Sequence, residues 1–233
     1  MEKKYKPKVT GKGWGYLFCY FWFSPFLWMY WKRREFHGME NYPKNKPVFL
    51  APNHINAFIE PIGLSPIVKF KMLTFLLRAA AFNKKSLNRI FYSLNMLPIF
   101  RQLDGNDQLD NNNEIYNNCV WLLEKNRTIL VFPEGSHSLT KRLRTFKKGP
   151  MRFAFGAEEK NNFKLDVHFV PIGISYNDFY NFGGYKLVNI GKPIRVADYV
   201  EQYKINPAKA LNELKRDLEN AVANLMVHIK NVD

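Results

Sequence analysis

The feature that most constrains this chain is a series of short apolar runs separated by stretches of helical period. RTILVFP at 127–133 is the clearest buried strand, and VFLA at 48–51, LTFLL at 73–77, LPIF at 97–100 and VHFVPIGISY at 167–176 read the same way. YKLVNI at 185–190 adds another strand, and 35–41 reads as an edge strand with a turn at Gly38. Between these lie helical spacings: Leu87, Ile90, Phe91 and Leu94 within 84–94, then Leu109, Ile115, Cys119 and Leu122 within 107–125. A helix opened by Pro150 follows at 148–157, and a long amphipathic one fills 207–230 with Leu211, Leu214, Leu218, Val222, Leu225 and Ile229. A short helix is expected at 57–64 and a turn at 104–107. Strands that alternate with helices define an α/β class with a mostly parallel central sheet flanked by helices. A chain of 233 residues fits one such domain, read as 35–233 and preceded by a distinct segment, 1–34.

That segment begins with a lysine-rich lead-in and continues as WGYLFCYFWFSPFLWMYW, Trp14 to Trp31, eighteen residues without a charge. Eighteen helical residues extend about 27 Å, slightly short of a bilayer core. Its tryptophans and tyrosines favour the headgroup region, and Pro25 near the centre is expected to divide it into two short helices. No small-residue cleavage site follows, which argues against a secretory signal peptide. The reading is a hydrophobic membrane-associating helical segment, peripheral or monotopic, with a single span and a buried core helix as the alternatives.

The formal charge of +15 implies an anionic partner: a nucleic acid, an anionic bilayer, a phosphorylated substrate or an acidic carrier protein. Two cysteines, Cys19 and Cys119, make neither a disulfide framework nor a metal site and fit a reducing compartment. The five histidines lack metal-ligand spacing. No Walker or Rossmann glycine pattern is present.

Two stretches carry chemistry. The first follows VFLA directly: Pro52-Asn53-His54, with Glu60 six residues after the histidine. A strand end holds loop atoms still at a crevice. An imidazole there can take a proton from a hydroxyl while a carboxylate on its other nitrogen fixes the tautomer. This is the base half of a Ser-His-Asp arrangement without the serine, and an ordinary loop histidine beside an unrelated glutamate is the competing reading. The second stretch is Phe132-Pro133-Glu134-Gly135-Ser136-His137, then Phe146-Lys147-Lys148-Gly149. A Glu-Gly at a strand end followed by lysines forms an anion-binding lip, to which backbone amides can add; the alternative is a solvated basic loop.

Asn53-His54 with its downstream carboxylate, Pro98-Ile99-Phe100-Arg101, Phe132-Pro133-Glu134-Gly135 with Phe146-Lys147-Lys148-Gly149, and Val170-Pro171-Ile172-Gly173 occur in that order. The ordered set resembles the glycerolipid (lysophosphatidic acid-type) acyltransferase family over about residues 14–191. The resemblance implies an αβ fold on a membrane face and transfer of a fatty acyl group from a thioester to a lipid hydroxyl, without a covalent enzyme intermediate. It implies that His54 is the catalytic base and Glu60 its partner. Arg101 then resembles the arginine that meets the acceptor's phosphate, Glu134 and Gly135 the acceptor-site block, and Pro171 the proline near the substrate pocket. Lys147 is a further anion contact on charge alone. No metal and no resident cofactor are expected; acyl-CoA or acyl-ACP (acyl carrier protein) serves as co-substrate. Membrane lipid, the acyl donor and an anionic membrane surface are the expected partners, with no nucleic acid, at the cytoplasmic face of the inner membrane.

The chain departs from the family pattern in two places. Five residues rather than four separate His54 from its acid, and the acid is glutamate rather than aspartate. His137 stands where the family often has arginine. Among rival functions, a lipid esterase or thioesterase would use the same histidine with water, but no Gly-x-Ser-x-Gly elbow exists. A basic nucleic-acid-binding module lacks any helix-turn-helix, zinc or RNA-recognition signature. A non-catalytic membrane scaffold is the third alternative.

Overall fold

The computed structural model describes residues 7–10, 14–56, 60, 63–68, 73–82, 85–99, 112–137, 141–178 and 181–227. Among them the expected α/β architecture is found. The strands are β1 (Arg33–His37), β2 (Val48–Pro52), β3 (Leu73–Arg78), β4 (Met96–Ile99), β5 (Thr128–Leu130), β6 (His168–Tyr176), β7 (Tyr185–Ile190) and β8 (Ile194–Arg195). The helices are α1 (Trp14–Tyr30), α2 (Lys85–Ser93), α3 (Asn112–Glu124), α4 (Gly149–Lys160), α5 (Val200–Ile205) and α6 (Pro207–Leu225). The sheet order is β1-β7-β6-β2-β5-β3-β4, with β8 also on β6. β2 runs parallel to both its neighbours, and only β7 and β8 run antiparallel to β6. The turn at 104–107 and most of the short helix at 57–64 fall outside the described residues.

Period-two alternation along the central strands splits the core between two faces. Phe49 and Phe169 are register partners, stack at 5.1 Å between ring centroids, and belong with Ile129 to the face covered by α3, α4 and α6. Leu50, Val170, Ile172, Ile174 and Tyr176 point to the other face, where Ile55, Leu64, Ile67 and Trp31 close over them. Strands buried on both faces explain why these sequences read as continuous apolar runs. Gly38 makes the turn after β1 with φ +76°, and a Cβ there would lie 2.1 Å from the Ile190 carbonyl oxygen, so only glycine fits.

The amino-terminal segment corrects one expectation. α1 is a single helix of 17 residues that runs through Pro25 rather than two helices about it. A mid-helix proline removes one hydrogen bond and crowds the preceding turn. Here the Pro25 ring is solvent-exposed, and the helix is anchored at both ends: Tyr16 packs on Phe75 at 6.0 Å, and Tyr30 meets Phe182 edge-on at 5.8 Å. Among the described residues no helix is long and apolar enough to cross a membrane. The lead-in is not wholly solvated either. Val9 is buried, and Asn118 of α3 accepts from the Lys8 and Val9 amides and donates to the Val9 carbonyl.

Candidate active site

The site forms where β2 and β5, neighbours in the sheet, end side by side. β2 finishes at Pro52, but pairing with β6 continues one residue further through Asn53. Its amide donates to the Ile172 carbonyl at 3.3 Å, and its side chain both donates to and accepts from the Ile174 backbone, at 3.0 and 2.6 Å. Asn53 thus acts as a side-chain rung of the ladder and fixes where the next residue begins.

That residue is His54. Its Nδ1 lies 3.1 Å from Glu60 Oε2, the geometry of a ring N–H donating to a carboxylate. Glu60 Oε1 accepts from the Ile55 and Asn56 amides at 3.0 and 2.9 Å. Both carboxylate oxygens are therefore engaged, and the side chain is fully buried while that of His54 is 13% exposed. Two successive amides thus point at one oxygen of the glutamate while the ring meets the other. The longer side chain spans the remaining gap. Phe132, the last residue before the Pro-Glu-Gly turn, stacks on the His54 ring at 3.8 Å and 20°, leaving the imidazole little freedom to rotate. Among the described residues His54 Nε2 has no hydrogen-bond partner, and Nδ1–H held by a carboxylate makes Nε2 the basic nitrogen.

Glu134 ties the two strand ends together. Oε1 accepts from the His54 amide at 2.7 Å and Oε2 from the Arg144 amide at 3.1 Å. Burial pushes its carboxyl upward, and these two amides oppose the rise. Gly135 has φ +75°, and its N–H donates to the Phe132 carbonyl at 3.0 Å, so this amide is committed to its own turn and not open to a substrate oxyanion. His137 stands edge-on to His54 at 5.8 Å, and Arg144 Nη1 donates to Ser136 Oγ at 2.8 Å. A guanidinium therefore reaches this turn from the Arg144 side, beside the position where the family often carries arginine. The Lys147 amide donates to the Pro133 carbonyl at 2.7 Å, and its exposed side chain lies on the lip. Pro171 is buried within β6 opposite Ala51, and its carbonyl accepts from the Gly191 amide, so its contacts are with the sheet. Arg101 lies outside the described residues.

The structure also brings two polar groups to Glu60 that the sequence did not mark. Burial, and then the charge of Glu60, drive the Tyr176 phenol well above its ordinary range. Lys186 is 2% exposed, and burial lowers its amine from 10.5 to about 8 against an opposing pull from Glu60. A small surface cleft, lined in part by Ile55, Lys141 and Tyr176, opens beside this cluster. Among the described residues no group of three or more His, Cys, Asp or Glu side chains gathers as a metal site.

A strand-end histidine with a buried carboxylate on Nδ1 and a free Nε2 can act as a general base toward a hydroxyl. Comparison with known proteins agrees with that class: the Acyltransferase family model matches residues 33–175. The chain belongs to the Acyltransferase family. A similar fold occurs in the crystal structure of the 1-acyl-sn-glycerophosphate (LPA) acyltransferase PlsC from Thermotoga maritima. The TM-score is 0.54 at 18% sequence identity, covering 86% of this chain and 73% of that one. No curated protein matches the sequence.

Proposed function

We propose that this acyltransferase moves a fatty acyl group from an acyl thioester, acyl-CoA or acyl-ACP, to a hydroxyl of a lysophospholipid or related lipid, with His54 as general base and Glu60 as its partner. The observation that carries this reading is the 3.1 Å contact between His54 Nδ1 and a Glu60 carboxylate whose other oxygen is held by two backbone amides. The acceptor hydroxyl gives its proton to His54 Nε2 as its oxygen attacks the thioester carbonyl. Glu60 stabilises the imidazolium that forms. Collapse of the tetrahedral adduct breaks the C–S bond, and the departing thiolate takes the proton from Nε2, leaving an ester, a thiol and the starting enzyme. With the Gly135 amide occupied, a basic side chain of the lip, Arg144 first, is the group placed to meet negative charge on the adduct or on the acceptor. Acyl acceptance by an LPA-type substrate is supported by the fold shared with PlsC.

The enzyme works at a membrane face. Trp14, Phe18, Phe21, Trp22, Phe26 and Met29 of α1 are solvent-exposed, and their spacing puts them along one stripe of the helix opposite the docked Tyr16. Large aromatics bordered by Lys32, Arg33 and Arg34 suit the headgroup layer of an anionic bilayer. The segment lies in the interface of the cytoplasmic leaflet as a monotopic anchor.

The test is a transfer assay on purified enzyme with anionic vesicles containing lysophosphatidic acid and with acyl-CoA or acyl-ACP as donor. Formation of the diacyl product supports the reading. Release of free fatty acid at the same rate with and without acceptor would establish a thioesterase instead.

A further inference from the structure

Lys186 takes no part in the chemistry described so far, yet it is a lysine buried to 2% exposure. In register it stands opposite Tyr176 of β6 and Arg34 of β1, so the three form one polar row across the sheet. The row lies on the face closed by the segment that carries Glu60. Its Nζ has no hydrogen-bond partner among the described residues and sits 5.8 Å over the Tyr176 ring. A Cβ on Gly63 would come within 2.6 Å of that nitrogen, so the absence of a side chain three residues after Glu60 leaves the amine its room.

An unpaired ammonium in such a place is costly, and a methylene chain of the same length would fill the space without the cost. The groups that face it are few. Glu60 favours its charge, Arg34 opposes it, and Tyr176 meets both Lys186, through its ring, and Glu60. Glu60 in turn is faced by His54, Glu134, Tyr176 and Lys186. Lys186, on β7, is thus a buried cation that interacts with the same carboxylate the imidazole contacts.

We propose that Lys186 is a positioning residue for acyl transfer, its buried ammonium acting through the Glu60 carboxylate to keep Nδ1–H of His54 bound and Nε2 free to take the acceptor's proton. The proposal rests on the assignment of His54 and Glu60 as base and partner. It explains why a lysine occupies a site that an apolar residue would fill more stably. Burial sets the lysine's own titration at about 8, so the alignment it supports is lost as pH rises through that value.

The experiment compares Lys186→Met, Glu60→Gln and the double variant with the wild type, reading kcat, KM, Tm and the pH dependence of kcat. Lys186→Met is expected to melt at or above the wild-type temperature. Its kcat should fall about tenfold with KM changed less than about twofold, the signature of an effect on the reacting state. The wild type should show an inflection of kcat near pH 8 that the variant lacks. The double variant should be no more than about twofold slower than Glu60→Gln, because the two residues act in series. A Lys186→Met enzyme with wild-type kcat and pH profile overturns the proposal. So does one that melts lower or fails to fold, and so does a full additional tenfold loss on the Glu60→Gln background. Wild-type turnover by Glu60→Gln is a separate result: it removes the base assignment itself and this proposal with it.

Discussion

The backbone N–H of His54 donates to Glu134 Oε1 at 2.7 Å, so a carboxylate at the end of one strand holds the histidine at the end of the next. Through Oε2 the same side chain reaches the Arg144 amide and thereby the basic lip. Glu134 is a clamp between the histidine stretch and the Phe-Pro-Glu-Gly turn, and this gives the block a physical reason. Aspartate would be one methylene short, and glutamine would present an NH₂ to one of two N–H donors.

Glu134→Gln should therefore lose one charge-assisted bond and weaken the other. The expected cost is about 2 kcal/mol of stability, with kcat reduced because His54 is no longer held at its amide. Denaturant unfolding and turnover at fixed pH check this, and unchanged values for both would remove the clamp.

Asn53→Ala tests the frame beneath. Its side chain makes two hydrogen bonds with the Ile174 backbone, both buried. Removing it leaves a buried N–H and a buried carbonyl unsatisfied, at about 2–4 kcal/mol together. Tm should drop, and kcat should fall with it as the loop that starts at His54 loosens.

Stability should depend on pH through Lys186. Its amine is lowered from 10.5 to about 8 in the folded chain. Between those values the unfolded chain holds more protons than the folded one, so stability rises with pH there. Below pH 8 the burial cost is present in full, about 3 kcal/mol for a shift of this size. Lys186→Met lacks this contribution. Its stability advantage over the wild type should be largest at or below pH 7 and shrink as pH approaches 10.5, as chemical denaturation at a series of pH values would reveal. An advantage that does not vary with pH would contradict the assigned burial cost.

Membrane attachment is tested by Phe18→Ala with Trp22→Ala on the exposed stripe of α1. Both rings are solvent-facing in the protein, so Tm should hardly change. Moving a ring from water into the interface contributes roughly 1–2 kcal/mol. Partitioning onto anionic vesicles in a flotation assay should accordingly weaken about tenfold or more for the pair.

Much of this architecture was legible in the sequence because its strands are buried on both sides. β7 falls where YKLVNI places it, and α4 starts at the Pro150 turn. β5 is shorter than the RTILVFP run: the Val131 amide still donates to the Leu50 carbonyl, and Phe132 beyond it becomes the plate under His54. Pro25 misled because a proline removes one intrahelical hydrogen bond without necessarily ending a helix that is held on both sides of it. The pairing of His54 with Glu60 could be named from spacing, but its fit despite the extra residue depends on the Ile55 and Asn56 amides, which no pattern of side chains reveals. Lys186 was hidden for a similar reason. In an alternating strand a lysine reads as solvent-facing, and only the register with Tyr176 and Arg34 puts it in a polar row on the buried face of the sheet. β8 and α5 are two and six residues long, too short for periodicity to announce them.

The central claim is that His54 Nε2 takes the acceptor's proton while Glu60 holds the ring. The most direct measurement is kcat for His54→Ala in the vesicle assay, with circular dichroism and Tm recorded on the same preparation. The account predicts wild-type folding with turnover reduced about a hundredfold to ten-thousandfold. Turnover near the wild-type rate in a folded His54→Ala protein would contradict it.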